Sequence, residues 1–356
     1  MMSEKALAPG TILKGDKNTY RVAEVLSGNG QGFTYKVYTT VGVGPRARQV
    51  PMVVREHMMV RCSDRGEDGM TVVTSEDIAP TVDSCTQSFL YASRERAKVA
   101  EKCIWLIDVI EIFQANNTCY YVAEYLDGPD LEEYVASHGG RLTYDECSEV
   151  LSPIFDATRA LHTHNILHTS INPKHIKFVK TAKGMTPILF SLYDTMHFGE
   201  KGIETWMLPM MTCSEGYAPP EQYSSVEHFY PQIDVYALAA TLVYALSGTH
   251  LPDSRSLTPD MVRDILPTAF PETLVSAILN ALNPDVTQRT ASVTNFREEL
   301  KEFRANSAAN ARVKSRELEE ETEGGSVNFI DAIKKHWWKY AIAVTTLAAI
   351  IKVVVS

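Results

Sequence analysis

The chain has 356 residues, 45% of them hydrophobic and 22% charged, enough for one large domain or two smaller ones with real cores. Lys and Arg number 34 against 44 Asp and Glu, a net charge of −10, and the folded part has no basic patch with interleaved aromatics. Nucleic acid is thereby excluded as the main partner, because phosphate binding needs clustered cationic side chains.

The N-terminus, MMSEKALAPGTILKG, has no apolar core behind a basic start, so no cleaved signal peptide is expected. Residues 1–17 read as an N-terminal extension. From 18 to about 60 the pattern is strand-like: RVAEVL runs into the glycine-rich SGNGQGF, followed by TYKVYTTV and RQVPMVVREHMMV. The turn-rich CSDRGEDGM precedes a short strand, TVVTS, and a helix is predicted over roughly 86–102. LIDVIEIFQ and TCYYVAEYL are two more strands, split by the turn signal Ala115-Asn116-Asn117.

From Gly128 the character turns helical. LEEYVASHG and TYDECSEVLSPIFDATRALHTHN carry apolar residues at three-to-four spacing. Further helices are predicted at DVYALAATLVYALSG, PDMVRDIL, PETLVSAILNAL and TNFREELKEFRANSAAN. The division predicts an α+β chain, with a strand-rich lobe over 18–127 facing a helical lobe over 128–305 across a cleft. The six cysteines (Cys62, Cys85, Cys103, Cys119, Cys147 and Cys213) show no CxxC pair and no His at zinc-ligand spacing. They read as reduced thiols of a cytosolic domain.

Residues 306–333 are charged, include Gly-Gly and read as a solvated linker. In 334–356 the uninterrupted apolar core, Tyr340 to Ile351, is only about 12 residues, which favours a buried or interfacial helix. With Lys352 snorkelling it reaches about 17, the lower limit for a membrane span. Trp337, Trp338 and Tyr340 beside Lys334, Lys335 and Lys339 have the pattern of an aromatic belt with its positive side in the cytoplasm. The expectation is a C-terminal hydrophobic helix anchoring the chain, single-pass, at the cytoplasmic membrane face. A helix packed on the folded part or in an oligomer is the alternative.

Five motifs occur in order: SGNGQGFTYKV, MVVRE, LHTHNILHTSINPKHI, TCSEGYAPPEQY and QIDVYALAATLVYALSG. Together they resemble the bacterial eukaryotic-type Ser/Thr protein kinases, over about residues 18–303. The resemblance implies a bilobal protein-kinase-like fold with a β-rich N-lobe and an α-helical C-lobe. It also implies a nucleotide cleft formed by Gly30, Gly32, Val37, Arg55, Glu124 and Leu126.

The positions that perform the family's chemistry depart from its pattern. Ser27 and Asn29 stand where the first two loop glycines belong, and Arg55 stands for the β3 Lys, with Glu95 as its helix carboxylate. In HTSINPKHI, His168 keeps the structural His, while Ser170 replaces the catalytic Asp, Asn172 the loop Lys and His175 the magnesium-binding Asn. Ser191 falls on the Asp of DFG, and Asp194, three residues on, is the carboxylate a shifted loop would recruit. A hydroxyl is not ionised near neutral pH, and imidazole is the wrong ligand for magnesium. His162, His164, His168 and His175 are close in sequence, yet two of them have structural family places, so no metal site is expected. By contrast Glu221, Arg289 and Asp234, which the resemblance makes scaffold residues, are kept.

The sequence therefore reads as a pseudokinase, with no cofactor expected (ATP possible, without the usual magnesium ligands) and a protein partner such as an active kinase. An active kinase or other phospho- or nucleotidyl transferase with altered ligands, and a non-catalytic nucleotide sensor, are the alternatives.

Overall fold

Period-two alternation along the first strands builds one antiparallel sheet with an apolar inner face. The computed structural model describes residues 3–182, 184–192, 195–199, 202–203, 213–224 and 230–301. Strands β1 (Ile12–Lys14), β2 (Thr19–Asn29), β3 (Gly32–Val41), β4 (Arg48–His57), β7 (Val109–Ala115) and β8 (Thr118–Glu124) lie in the order β1-β2-β3-β4-β8-β7. Along β3, Phe33, Tyr35 and Val37 face the core with Leu13, Tyr20, Val54 and Tyr120. Thr34 and Lys36 therefore take the opposite face. The β7–β8 turn places Asn116 and Asn117 at φ 54° and 55°, the left-handed pair that matches strand twist.

Residues 3–17, read from sequence as part of an extension, pack with this lobe. β1 is its edge strand, Leu7 is buried in the core, and Leu7 N donates to Tyr35 Oη at 3.0 Å. A three-residue strand has too few alternations to be recognised in a sequence. Helix α1 (Ala79–Ala100) starts earlier than the predicted 86, with Pro80 in its first turn, where a missing N–H costs nothing.

A short ribbon of β5 (Ser63–Arg65) and β6 (Val72–Thr74) delivers Arg65 to Glu56, a fully buried carboxylate on β4. Glu56 Oε1 accepts from Arg65 Nη1 (2.8 Å) and Tyr120 Oη (3.0 Å). Its Oε2 accepts from Arg65 Nη2 and from Tyr35 Oη (2.8 Å).

In the helical lobe, α2 (Leu131–Ser137) and α3 (Tyr144–Thr163) each open with a capping box, Asp130 with Glu133 and Thr143 with Glu146. Short strands follow: β9 (Ile166–Leu167), β10 (Ile176–Thr181), β11 (Gly184–Leu189), β12 (Met196–Gly199) and β13 (Gly202–Ile203). Then come α4 (Gln232–Ser247), α5 (Pro259–Ile265), α6 (Glu272–Ala281) and a helix beginning at 293. α4 is buried at every position from Ile233 to Leu246, so it is the lobe's central helix and packs on α3 and α6. It stops at Gly248, whose φ of 73° is the left-handed cap glycine favours.

The chain divides into units Met1–Glu299 and Leu300–Ser356. The charged linker and hydrophobic tail at 306–356 lie outside the described residues. Among the described residues no helix is long and apolar enough to cross a membrane.

Candidate functional site

The glycine-rich hairpin roofs the cleft, and it is stitched down. β2 and β3 pair to their tip, where Asn29 opposes Gly32. The carbonyls of Gly30 and Gln31 accept from Val60 N (3.0 Å) and Met58 N (2.9 Å), beyond the end of β4. Gly32 has φ 136°, and a Cβ there would lie 1.9 Å from Glu56 O, so the glycine serves strand packing.

Asn29, in a loop-glycine place, and Arg55, in the lysine place, are partners. Arg55 Nη2 donates to Asn29 Oδ1 at 2.6 Å and Nη1 to Thr34 Oγ1 at 3.3 Å. Asn29 Oδ1 also takes Gln31 N at 3.0 Å. The guanidinium, 2% exposed, is thus engaged at the end of the cleft where phosphates would lie.

Beneath the roof is a cavity of about 160 Å³. Leu26, Val53, Ile107, Ala123, Leu126 and Phe190 supply apolar walls; Thr34, Arg55, Tyr121, Glu124, Lys177 and Ser191 also line it. Ligand pockets commonly run roughly 300–1,000 Å³, and about 150 Å³ is enough for one benzene ring. Val53 stands where the family's VAIK has its Ala, adding bulk to this wall.

Of the six residues assigned to the cleft from sequence, Arg55, Glu124 and Leu126 line the cavity. Gly30, Gly32 and Val37 do not: the glycines close the hairpin, and Val37 is wholly buried in the sheet core. Val37 shares the core face of β3 with Phe33 and Tyr35, so its side chain lies on the side away from the cleft. Thr34 is the cleft-facing residue instead.

Helix α1 turns a cation inward. Glu95 bonds Lys98 one turn on. Arg96, 1% exposed, donates Nε to Ala92 O (3.0 Å), Nη2 to Ser93 Oγ (2.9 Å) and Nη1 to Leu192 O. α1 is therefore tied to the segment after β11 through Arg96. Its inward phase was legible from Ser93 and Val99, which lie three residues to either side on the same buried face.

The loop between β9 and β10 is held by its backbone. Asp234, fully buried in the first turn of α4, accepts from His168 N and Thr169 N (2.8 Å each) and contacts His162 Nε2 at 2.8 Å. Burial alone would raise this carboxyl, but the His162 bond and its neighbours outweigh it and hold the carboxyl below the usual range. Gln222 Nε2 donates to Thr169 O at 2.8 Å. These contacts fix Thr169 at φ 64°, a conformation that costs a β-branched residue ~1–3 kcal/mol.

Within the loop two of the substituted side chains converge on the Ser170 carbonyl. His175 Nδ1 is 2.6 Å from Ser170 O, so it carries the proton and donates. Ser170 Oγ is 3.2 Å from the same nitrogen. Asn172 Nδ2 gives its two N–H groups to Ser170 O (3.1 Å) and Ser214 Oγ (3.0 Å), and Asn172 Oδ1 accepts Lys174 N. The loop keeps its shape with no carboxylate in it.

At the second metal-ligand position stands Ser191, at φ 67° and 2% exposed, with its Oγ buried and without a hydrogen-bond partner. Such a group costs ~1–3 kcal/mol. The donor set at the two family metal positions is one imidazole and one hydroxyl, which does not fit Mg²⁺. His162, His164 and His168 bond Asp234, Ala160 O and Phe190 O respectively. Among the described residues no three His, Cys, Asp or Glu cluster to hold a metal ion. Asp194 lies outside the described residues.

Three imidazoles give the fold an acid limit. Burial, then the Arg55 charge, pushes His57 down to about 4. Desolvation pushes His175 down to about 4 and also lowers His168. Unfolded imidazoles protonate near ~6.5, so between there and 4 the unfolded state binds more protons. Stability should therefore fall as pH drops from about 6.5 to 4, with uptake of about two protons or more on unfolding. Urea midpoints across that range measure it, and a flat profile would contradict the burial of these rings.

The scaffold pair of the helical lobe is also formed. Arg289 Nη1 and Nη2 grip Glu221 Oε1 (2.6 Å) and Oε2 (3.0 Å), and Arg289 Nε bonds Asn283 O.

Comparison with known proteins agrees with this geometry. The family described as protein kinase domain matches residues 95–306. Serine/threonine-protein kinase F of Synechocystis sp. (strain ATCC 27184 / PCC 6803 / Kazusa) is 30% identical over 154 residues, 42% of this chain and 29% of that protein. The SNF1-related protein kinase catalytic subunit alpha KIN12 of Arabidopsis thaliana is 25% identical over 199 residues, 54% and 38% respectively. The chain thus spans about a third of the length of these curated relatives. Among solved structures, the PpkA-294 apo form superimposes with a TM-score of 0.59 at 20% identity, covering 83% of this chain and 99% of that one. The Mycobacterium tuberculosis PknI kinase domain gives 0.52 at 18%, covering 84% and 100%. At these identities the likeness shows the fold alone. With more than half of the residues matched and both lobes in place, the chain belongs to the protein kinase domain family.

Proposed function

We propose that the chain is a catalytically inactive member of this family, a pseudokinase, which works as a scaffold or allosteric partner for another protein, such as an active kinase. The observation that carries the reading is the loop of Ser170, Asn172 and His175. The Asn172 and His175 side chains are engaged with the Ser170 carbonyl, and among the described residues of the loop there is no carboxylate to deprotonate a substrate hydroxyl. Retention of the Asp234 and Glu221–Arg289 contacts supports the same reading, since these hold the helical lobe together without contributing chemistry. Ser170→Asp is expected to leave label transfer from Mg·ATP at background, because His175 and Ser191 would still occupy the metal positions. Transfer appearing in that variant would sink the proposal.

The C-terminal tail, read from sequence alone, is proposed to tether the chain to the cytoplasmic membrane face. The full chain should then pellet with membranes and resist alkaline extraction, while a chain ending near Asn310 stays in the supernatant. Equal partitioning of the two would refute the tether.

A further inference from the structure

We propose that the interlobe cavity takes a small, uncharged, single-ring aromatic molecule bearing one hydrogen-bonding group, in place of a metal-bound nucleoside triphosphate. The inference rests on the non-catalytic reading above and names the ligand class of that same cleft. Size sets the first limit: about 160 Å³ is room for one ring.

The walls set the second. Val53, Ile107, Ala123, Leu126 and Phe190 present apolar surface from both lobes, which suits the faces of an uncharged ring. Arg55 is engaged with Asn29 and Thr34, and the Gly30 and Gln31 carbonyls are engaged with Val60 and Met58. The roof is thus fastened in a form without a phosphate cradle.

Ser191 sets the third. It lines the cavity, is 2% exposed, and has an Oγ without a hydrogen-bond partner. A hydroxyl can donate or accept, so one polar group on the ring would satisfy it. The residue in the family's metal-ligand place thus becomes a neutral anchor, and binding needs no Mg²⁺. A ligand seated between Val53 and Ser191 touches both lobes, so its occupancy would couple them.

The experiment uses the full chain, with phenol and benzene as probes, read by saturation-transfer NMR and thermal shift without magnesium. Phenol should bind, and benzene should bind about tenfold more weakly for lack of the hydrogen bond. Ser191→Gly, whose backbone suits a φ of 67°, should fold, keep benzene binding and lose the preference for phenol. Val53→Phe should fill the cavity and abolish both. Absence of transfer to either probe, or equal binding by the Val53→Phe protein, overturns the inference. If Mg·ATP is silent as well, only the ligand class is wrong. If Mg·ATP binds and transfers label, the non-catalytic reading falls with it.

Discussion

Asp234→Asn is expected to destabilise the protein by about 3–5 kcal/mol, the result of leaving buried donors unpaired at ~1–3 kcal/mol each. The carboxylate has two acceptor oxygens for His168 N, Thr169 N and His162 Nε2. An amide keeps one oxygen and turns two N–H donors toward groups that already donate. The melting temperature should fall by roughly 5–15 °C in calorimetry. Thr169, strained at φ 64°, should relax when its anchor is lost, so hydrogen exchange at residues 168–170 should rise more than elsewhere in the helical lobe. An unchanged melting temperature would mean that Asp234 does not hold the loop.

Arg65→Met should cost a similar amount, about 3–5 kcal/mol, because it strands the Glu56 carboxylate without its cation. Glu56 is completely buried and keeps only the Tyr35 and Tyr120 hydroxyls in the variant. Removing the charge as well should recover stability. The double variant Glu56→Gln with Arg65→Met leaves a neutral amide that still accepts from a tyrosine. It should be more stable than the single by at least ~1 kcal/mol in urea unfolding. A double variant less stable than the single would show that the pair does not behave as an isolated ion pair.

The parts legible in the sequence are those whose side chains hold backbone at fixed spacing. HTSINPKHI, GYAPPEQY and DVYALAATL each carry a residue with one structural task, and His168, Glu221 and Asp234 perform those tasks. Other features were hidden for specific physical reasons. Asn29 and Arg55 read as two separate losses because 26 residues separate them, and only the β2–β3–β4 pairing brings them together. The inward place of Arg96 was not read from the sequence, because neighbouring helical residues differ by about 100° in direction and an uncertain helix start leaves the inward face undefined. The buried role of Glu56 carries no sequence signal, because its partner Arg65 reaches it only through the β5–β6 ribbon.

The substitutions at the chemical positions are therefore accommodated as a set. Arg55 bonds Asn29, His175 bonds the Ser170 carbonyl and Asn172 bonds Ser214, so these three replacements have acquired new partners, while Ser191 Oγ has none. Reversing one alone leaves the others in place.

Calorimetric titration of the unmodified full chain with Mg·ATP to millimolar concentration tests the central claim most directly. A cleft with an imidazole and a hydroxyl at the two family metal positions, roofed by a fastened hairpin, should give no saturable heat and no label transfer. Stoichiometric binding that requires Mg²⁺, accompanied by phosphoryl transfer, would contradict it.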